Sequence, residues 1–288
     1  MNLAGNASDD VGVLTVTWTN AATGAFGTVT GRTSWTIANV ALNVGPNLIT
    51  VTAWDLVGNS GSDTLTITRD STAPYCSVNS PTATGSYQTR LDTVTIGGNA
   101  SDDTDVVSVT WRNGATGQTG TANGTTSWEI ADIVLALGYN NITVTAHDAA
   151  GNVGSDSIVV NYDLVAPICK ITSPTVDPTY VTNGNSISLA GTASDNVGVV
   201  SVTWSNDRGG SGVAMGTTGW TISGITLQEG NNTITVTATD AAGNSHSVTI
   251  TVTYTTTAIP EFSDFVIVVL GMMLVFFLIR VKRRKEDE

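Results

Sequence analysis

The sequence predicts an all-β chain of tandem β-sandwiches with one apolar helix near its C-terminus. Three observations predict it. A block of residues recurs, as Gly5-Asn-Ala-Ser-Asp-Asp ending in Trp18, as Gly98-Asn-Ala-Ser-Asp-Asp ending in Trp111, and as Gly191-Thr-Ala-Ser-Asp-Asn ending in Trp204, with successive tryptophans 93 residues apart. That period is too long for a solenoid turn or a propeller blade and suits one small sandwich domain. Short Val- and Thr-rich runs alternate with period two between turn residues. Ahead of residue 262 no long stretch has helical periodicity.

The third repeat supplies the strands in order. Ile168-Cys-Lys-Ile171 is a short first strand that stops at Ser173-Pro174. Ile187, Leu189, Gly191 and Ala193 alternate along a second, and Val200, Val202 and Trp204 along a third. A Gly-rich stretch over residues 209–216 holds a short edge strand, and Trp220 with Ile222 marks the next. Ile234, Val236 and Ala238 form the sixth, and Ile250 and Val252 lie on the seventh. Seven strands in one repeat predict a seven-stranded immunoglobulin-like domain. A second tryptophan series, Trp35, Trp128 and Trp220, also falls on inward phases, so both series read as core anchors. The outward position before Asp55, Asp148 and Asp240 holds Trp54, His147 and Thr239, a variation that suits a solvent-facing site.

Boundaries follow from the period. Residues 1–71 form a first repeat that begins on the second strand, 72–164 a second and 165–255 a third. Residues 256–264 are a linker, 265–279 a transmembrane segment and 280–288 a basic, then acidic, tail. The missing first strand of repeat one should leave a sheet edge open. With no signal peptide over residues 1–20, the sequence reads as the C-terminal part of a longer protein.

Charged residues make up only 12% of the chain and the formal net charge is −13. The last nine residues carry five basic groups, so the body is more acidic still. Such a body repels nucleic acid and anionic lipid; it attracts divalent cations or simply keeps the protein soluble. Cys76 and Cys169 occupy the same place in successive repeats. Their separation by a whole domain excludes a disulfide between them, and each is expected to face its own core.

The turn Asp-x-x-Gly-Asn appears at Asp55–Asn59, Asp148–Asn152 and Asp240–Asn244. Gly takes the left-handed conformation there and Asp accepts backbone N–H groups. With the preceding Asn-x-Ile-Thr-Val-Thr-Ala-x-Asp run, it resembles bacterial and archaeal immunoglobulin-like repeats of the glucodextranase domain B-like group. The resemblance covers nearly all of residues 1–255. It implies the fold and leaves function open, because such modules decorate many unrelated surface proteins.

Fifteen apolar residues, 265–279, run without a charge into Arg280, Lys282, Arg283, Arg284 and Lys285. Fifteen helical residues cover roughly 22 Å, short of a bilayer core of about 30 Å. Extension back to Phe262 and snorkelling by Arg280 nearly close that gap. The basic cluster stays cytoplasmic and places the repeats outside the cell. Pro260, Glu261 and Phe262, then the apolar helix and the basic cluster, together resemble the archaeal PEF-CTERM sorting signal. That resemblance implies recognition by an archaeosortase-like enzyme and removal of the helix. The acidic tail after Lys285 departs from the pattern, and a plain membrane anchor is the alternative.

Five Asn-x-Ser/Thr sequons, at Asn6, Asn99, Asn123, Asn141 and Asn231, fall on outward phases or loops and are candidate glycosylation sites. In an immunoglobulin-like sandwich the loop after the second strand and the last hairpin lie at the same end. That brings Asp102 and Asp103 near Asp148, with Asp70 approaching from the linker. The equivalent set is Asp195, Asn196 and Asp240 with Asp163. Hard oxygen ligands so grouped could bind calcium, or each Asp caps its own turn. His147 and His246 do not recur, and no nucleophile–base pair, phosphate loop or metal-spaced Cys/His cluster is present, so no enzyme and no catalytic residue is expected. The sequence thus predicts a cell-surface structural and adhesion protein whose partners are the membrane and surface proteins or polysaccharides. The alternative is a set of carbohydrate-binding accessory repeats of a larger glycoside-active enzyme, for which Trp54, Tyr87 and Tyr139 are scattered candidate contacts.

Overall fold

A computed structural model describes residues 1–256. The linker from residue 257, the transmembrane segment, the Pro-Glu-Phe motif and the basic cluster lie outside the described residues. The described chain falls into two units, Met1–Tyr162 and a second beginning at Asp163.

Every described element is a strand. Repeat two holds β7 (Tyr75–Ser80), β8 (Ser86–Thr89), β9 (Thr93–Ser101), β10 (Val106–Asn113), β11 (Thr119–Thr121), β12 (Ser127–Val134), β13 (Gly138–Asp148) and β14 (Val153–Tyr162). They form a three-stranded sheet, β12-β9-β7, facing a five-stranded one, β11-β10-β13-β14-β8. Repeat three repeats this plan with β15 (Ile168–Ser173), β16 (Thr179–Thr182), β17 (Ser186–Ser194), β18 (Val199–Asn206), β19 (Ser211–Val213), β20 (Gly219–Thr226), β21 (Gly230–Asp240) and β22 (Ser245–Tyr254).

These repeats have eight strands, one more than the sequence pattern suggests. The first strand is split. Its front half, β7 or β15, pairs antiparallel with β9 or β17. After Pro81 or Pro174, which cannot donate to a ladder, the chain crosses to the other sheet. There β8 or β16 runs parallel to the last strand. A second departure concerns Val200, expected inward but 57% exposed. A bulge between Val199 and Ser201 shifts the phase, so Val199 packs on the core instead.

The cores follow the alternation otherwise. In repeat two, Ile96, Val109, Ile142, Val144, Ile158 and Val160 are wholly buried. The inner tryptophans Trp128 and Trp220 are buried, and Trp111 and Trp204 pack on the same clusters half-buried. The glycine that heads the repeated block has a steric cause. A Cβ at Gly98 or Gly191 would run into the ring of Trp128 or Trp220. Cys76 and Cys169 are free and buried in the cores. Burial pushes both thiols up.

Each repeat also closes one end of its core with a buried asparagine pair that the sequence pattern did not single out. Asn113 Nδ2 donates to Asn140 Oδ1 at 3.1 Å. Asn20 with Asn47, and Asn206 with Asn232, repeat the contact at 3.2 and 3.3 Å. Asn140 also donates to the carbonyls of Ala136, Gly138 and Val160 and accepts the Ala136 N–H. It satisfies backbone groups at a partly buried loop end.

Repeat one has β1 (Leu3–Asn6), β2 (Val13–Asn20), β3 (Phe26–Thr28), β4 (Ser34–Ile37), β5 (Gly45–Asp55) and β6 (Ser60–Arg69). Its sheets are β1-β4 and β3-β2-β5-β6. No described strand stands where β7 and β8 stand in repeat two, so β1 and β6 each keep a free edge. An open groove of about 560 Å³ runs between them, lined by Leu3, Trp35, Val51, Ala53 and Leu65 among others. Leu65 is 50% exposed, whereas its counterparts Ile158 and Ile250 are at 0% and 1%.

Candidate metal centres

The last hairpin of each repeat turns on Asp-x-x-Gly-Asn as expected. Asp148 Oδ1 accepts the Asn152 N–H at 2.8 Å and Oδ2 accepts Asn152 Nδ2 at 2.6 Å. Asp55 with Asn59, and Asp240 with Asn244, repeat both bonds. Gly58, Gly151 and Gly243 sit at φ of 97°, 94° and 90°, which a side chain would strain. Burial alone would raise the Asp55 and Asp148 carboxyls. The Asn side chain and the turn's backbone N–H groups outweigh it and hold both below the usual carboxylate range.

Two acidic clusters form, one in each unit. In the first, Asp70, Asp102 and Asp103 bring one oxygen each within 4.8 Å of one another. Asp148 is not a member, and its two oxygens serve the Asn152 turn. Hydroxyls fill much of this cluster. Thr104 Oγ1 donates to Asp70 Oδ2 or Asp102 Oδ2, both at 2.7 Å, and Thr72 Oγ1 donates to Asp103 Oδ2 at 3.1 Å. Asp102 Oδ1 is buried without a partner.

The second cluster joins Asp163, Asp195 and Asp240, again within 4.8 Å. Asp163 is 4% exposed and Asp240 2%. The Asp163 backbone carbonyl accepts Asn244 Nδ2, and its Oδ1 accepts the Val165 N–H and Asn196 Nδ2. Asp195 Oδ1 accepts the N–H groups of Val197 and Gly198. Asp163 Oδ2 and Asp195 Oδ2 are buried and have no partner. Like charges this close repel, and burial withholds the water that would screen them.

The remaining candidates stand apart from these clusters. Asn6, Asn99, Asn123, Asn141 and Asn231 are all exposed. Trp54 is 39% exposed and Tyr139 71%, whereas Tyr87 packs against the core of repeat two. His147 Nε2 lies 2.9 Å from Thr110 Oγ1, and His246 Nδ1 accepts the Cys169 N–H.

Comparison with known proteins agrees with this architecture. Residues 167–256 match the family model described as glucodextranase, domain B. No curated protein matches the chain. Among solved structures, the chain is similar to the fibronectin(III)-like modules of Clostridium thermocellum CbhA, at 21% identity and a TM-score of 0.41 over 62% of this chain and 94% of that one. It is also similar to part of a 1.5-MDa bacterial ice-binding adhesin, at 18% identity and a TM-score of 0.39 over 88% and 91% of the two chains. A tetra-tandem repeat from the extending region of a large adhesion protein matches at 25% identity and a TM-score of 0.30, over 88% and 70%. The described chain is a tandem series of immunoglobulin-like β-sandwiches, and its third repeat resembles domain B of glucodextranase.

Proposed function

We propose that this chain is a cell-surface structural and adhesion protein that displays immunoglobulin-like repeats from a C-terminal membrane anchor or sorting signal. The observation that carries the reading is the recurrence of one sandwich plan at a fixed period. Each copy rebuilds the same asparagine pair and the same Asp-x-x-Gly-Asn turn around its own core. A series of modules, each with its own core cluster, supplies reach and surface rather than a single active cleft. Exposed sequons on every repeat suit an outward-facing surface.

Orientation rests on the apolar run 265–279 followed by Arg280, Lys282, Arg283, Arg284 and Lys285. Protease added to intact cells should digest residues 1–255. Protection until the cells are lysed would refute display outside. Tryptic peptides from beyond Phe262 in the mature surface protein would establish a lasting single-pass anchor. Their absence, with a new C-terminus near Pro260, would establish processing by an archaeosortase-like enzyme. Carbohydrate-binding accessory repeats are the second reading: Trp54 and Tyr139 are exposed for it, whereas Tyr87 packs against the core and Trp128 and Trp220 are buried.

A further inference from the structure

We propose that repeat three holds a hard divalent cation, with Ca²⁺ the best fit, on Asp163, Asp195 and Asp240, and that threonine hydroxyls weaken the matching place in repeat two, where one buried oxygen, Asp102 Oδ1, is left without a donor. Two observations carry this independently of the surface reading. Three carboxylates converge within 4.8 Å, and two of them, Asp163 and Asp195, keep a buried oxygen without any donor. Asp163 is itself 4% exposed. A buried carboxylate oxygen keeps its charge cheaply only beside a donor or a cation.

Comparison within the chain explains the difference. At the matching positions of repeat two, Thr72 and Thr104 turn their hydroxyls onto Asp70, Asp102 and Asp103. Ninety-three residues on, both threonines are valine, Val165 and Val197. The isosteric exchange keeps the loop and removes the donors. Val165 and Val197 offer only backbone N–H groups, which go to Asp163 Oδ1 and Asp195 Oδ1. The second oxygens, Oδ2 of Asp163 and of Asp195, are left over.

The ligand set selects the ion class. It consists of carboxylate oxygens, with no thiolate or imidazole in the cluster, which suits Ca²⁺ or Mg²⁺ over zinc or copper. The carboxylates come from three separate segments: the lead-in to β15, the β17–β18 loop and the end of β21. Such a set tolerates irregular geometry, which favours Ca²⁺ over the near-octahedral demand of Mg²⁺. Bound there, the ion would tie the lead-in at Asp163 to both loops of repeat three.

Calorimetric titration of the full chain with calcium chloride tests this, with magnesium chloride and sodium chloride as controls. Binding should saturate below about 10 mM, beyond the range of extracellular calcium modules. Asp195→Asn should weaken it about tenfold or more, as loss of one charged ligand from three would. Val197→Thr should weaken it too, because it restores the hydroxyl that occupies carboxylate oxygens in repeat two, and its near-identical shape keeps the fold. In EDTA neither variant should melt before the wild type, since each relieves repulsion. Calcium should raise the melting of wild-type repeat three by at least about 5 °C at a hundredfold excess over Kd. Absence of calcium heat, an equal response to sodium chloride, or undiminished binding in both variants would overturn the proposal.

Discussion

Replacing Asn140 by alanine should come close to unfolding repeat two while leaving repeat three untouched. The Asn140 side chain donates to Ala136, Gly138 and Val160 carbonyls at 2.7, 2.9 and 3.4 Å. It accepts from the Ala136 N–H at 2.9 Å and from Asn113 Nδ2 at 3.1 Å. Two amide hydrogens shared among three carbonyls, plus two acceptances, amount to about four hydrogen bonds, each worth roughly 1 kcal/mol net. Alanine also takes one acceptor from Asn113, which keeps the Val134 carbonyl and the Ala115 N–H but has no exposed surface through which to replace the lost bond with water. The sum is about 3–5 kcal/mol, a large part of the 5–15 kcal/mol that holds a typical domain. Asn140→Asp keeps the acceptor, removes both donors and buries a charge, so it should be no milder. Hydrogen exchange of the intact chain reads each repeat separately, with repeat three as internal control. The slowest amides of β13 should exchange about a hundred- to a few-thousandfold faster, at 1.4 kcal/mol per factor of ten. Acceleration of less than about tenfold would refute the argument that this amide, rather than the apolar core, secures the end of the sandwich.

Limited proteolysis should cut within residues 1–71 before either later repeat, because β1 and β6 are unpaired at one edge and Leu65 lies half in water. Equal resistance of the three repeats would mean that the open groove costs little. Acid should loosen the hairpin turns selectively. The Asp55 and Asp148 carboxyls are depressed in the folded state, so their contribution is fully present above the unfolded carboxylate value near 3.9 and is lost as pH falls through the lower folded value. Asp148→Asn should therefore lower stability at neutral pH and flatten the acid limb of repeat two, as followed by exchange or circular dichroism. An unchanged acid limb would remove the turn carboxylate as its source.

The sequence by itself determined the sandwich fold, the threefold recurrence of one block and the inward set such as Leu189, Val202, Ile234 and Ile250. Those features are written in neighbours along the chain: alternation puts every second side chain on one face, and Gly with Asp and Asn bends the hairpin. The eighth strand escaped because Pro174 marks a break in pairing without saying which sheet the next residues join. Val200 misled because a bulge changes phase while leaving the residue types unaltered. Nothing in the sequence pattern singles out the asparagine pair, and only the meeting of β10 with β13 shows it sealed from water. Tertiary structure likewise decided which aspartates meet. Asp148 and Asp240 sit in the same motif, yet only Asp240 joins a cluster. Turn chemistry is local, whereas the approach of three loops depends on long-range packing. Whether their carboxylates are then satisfied turns on single hydroxyls, present at Thr72 and Thr104 and absent at Val165 and Val197, whose reach exists only in the folded chain.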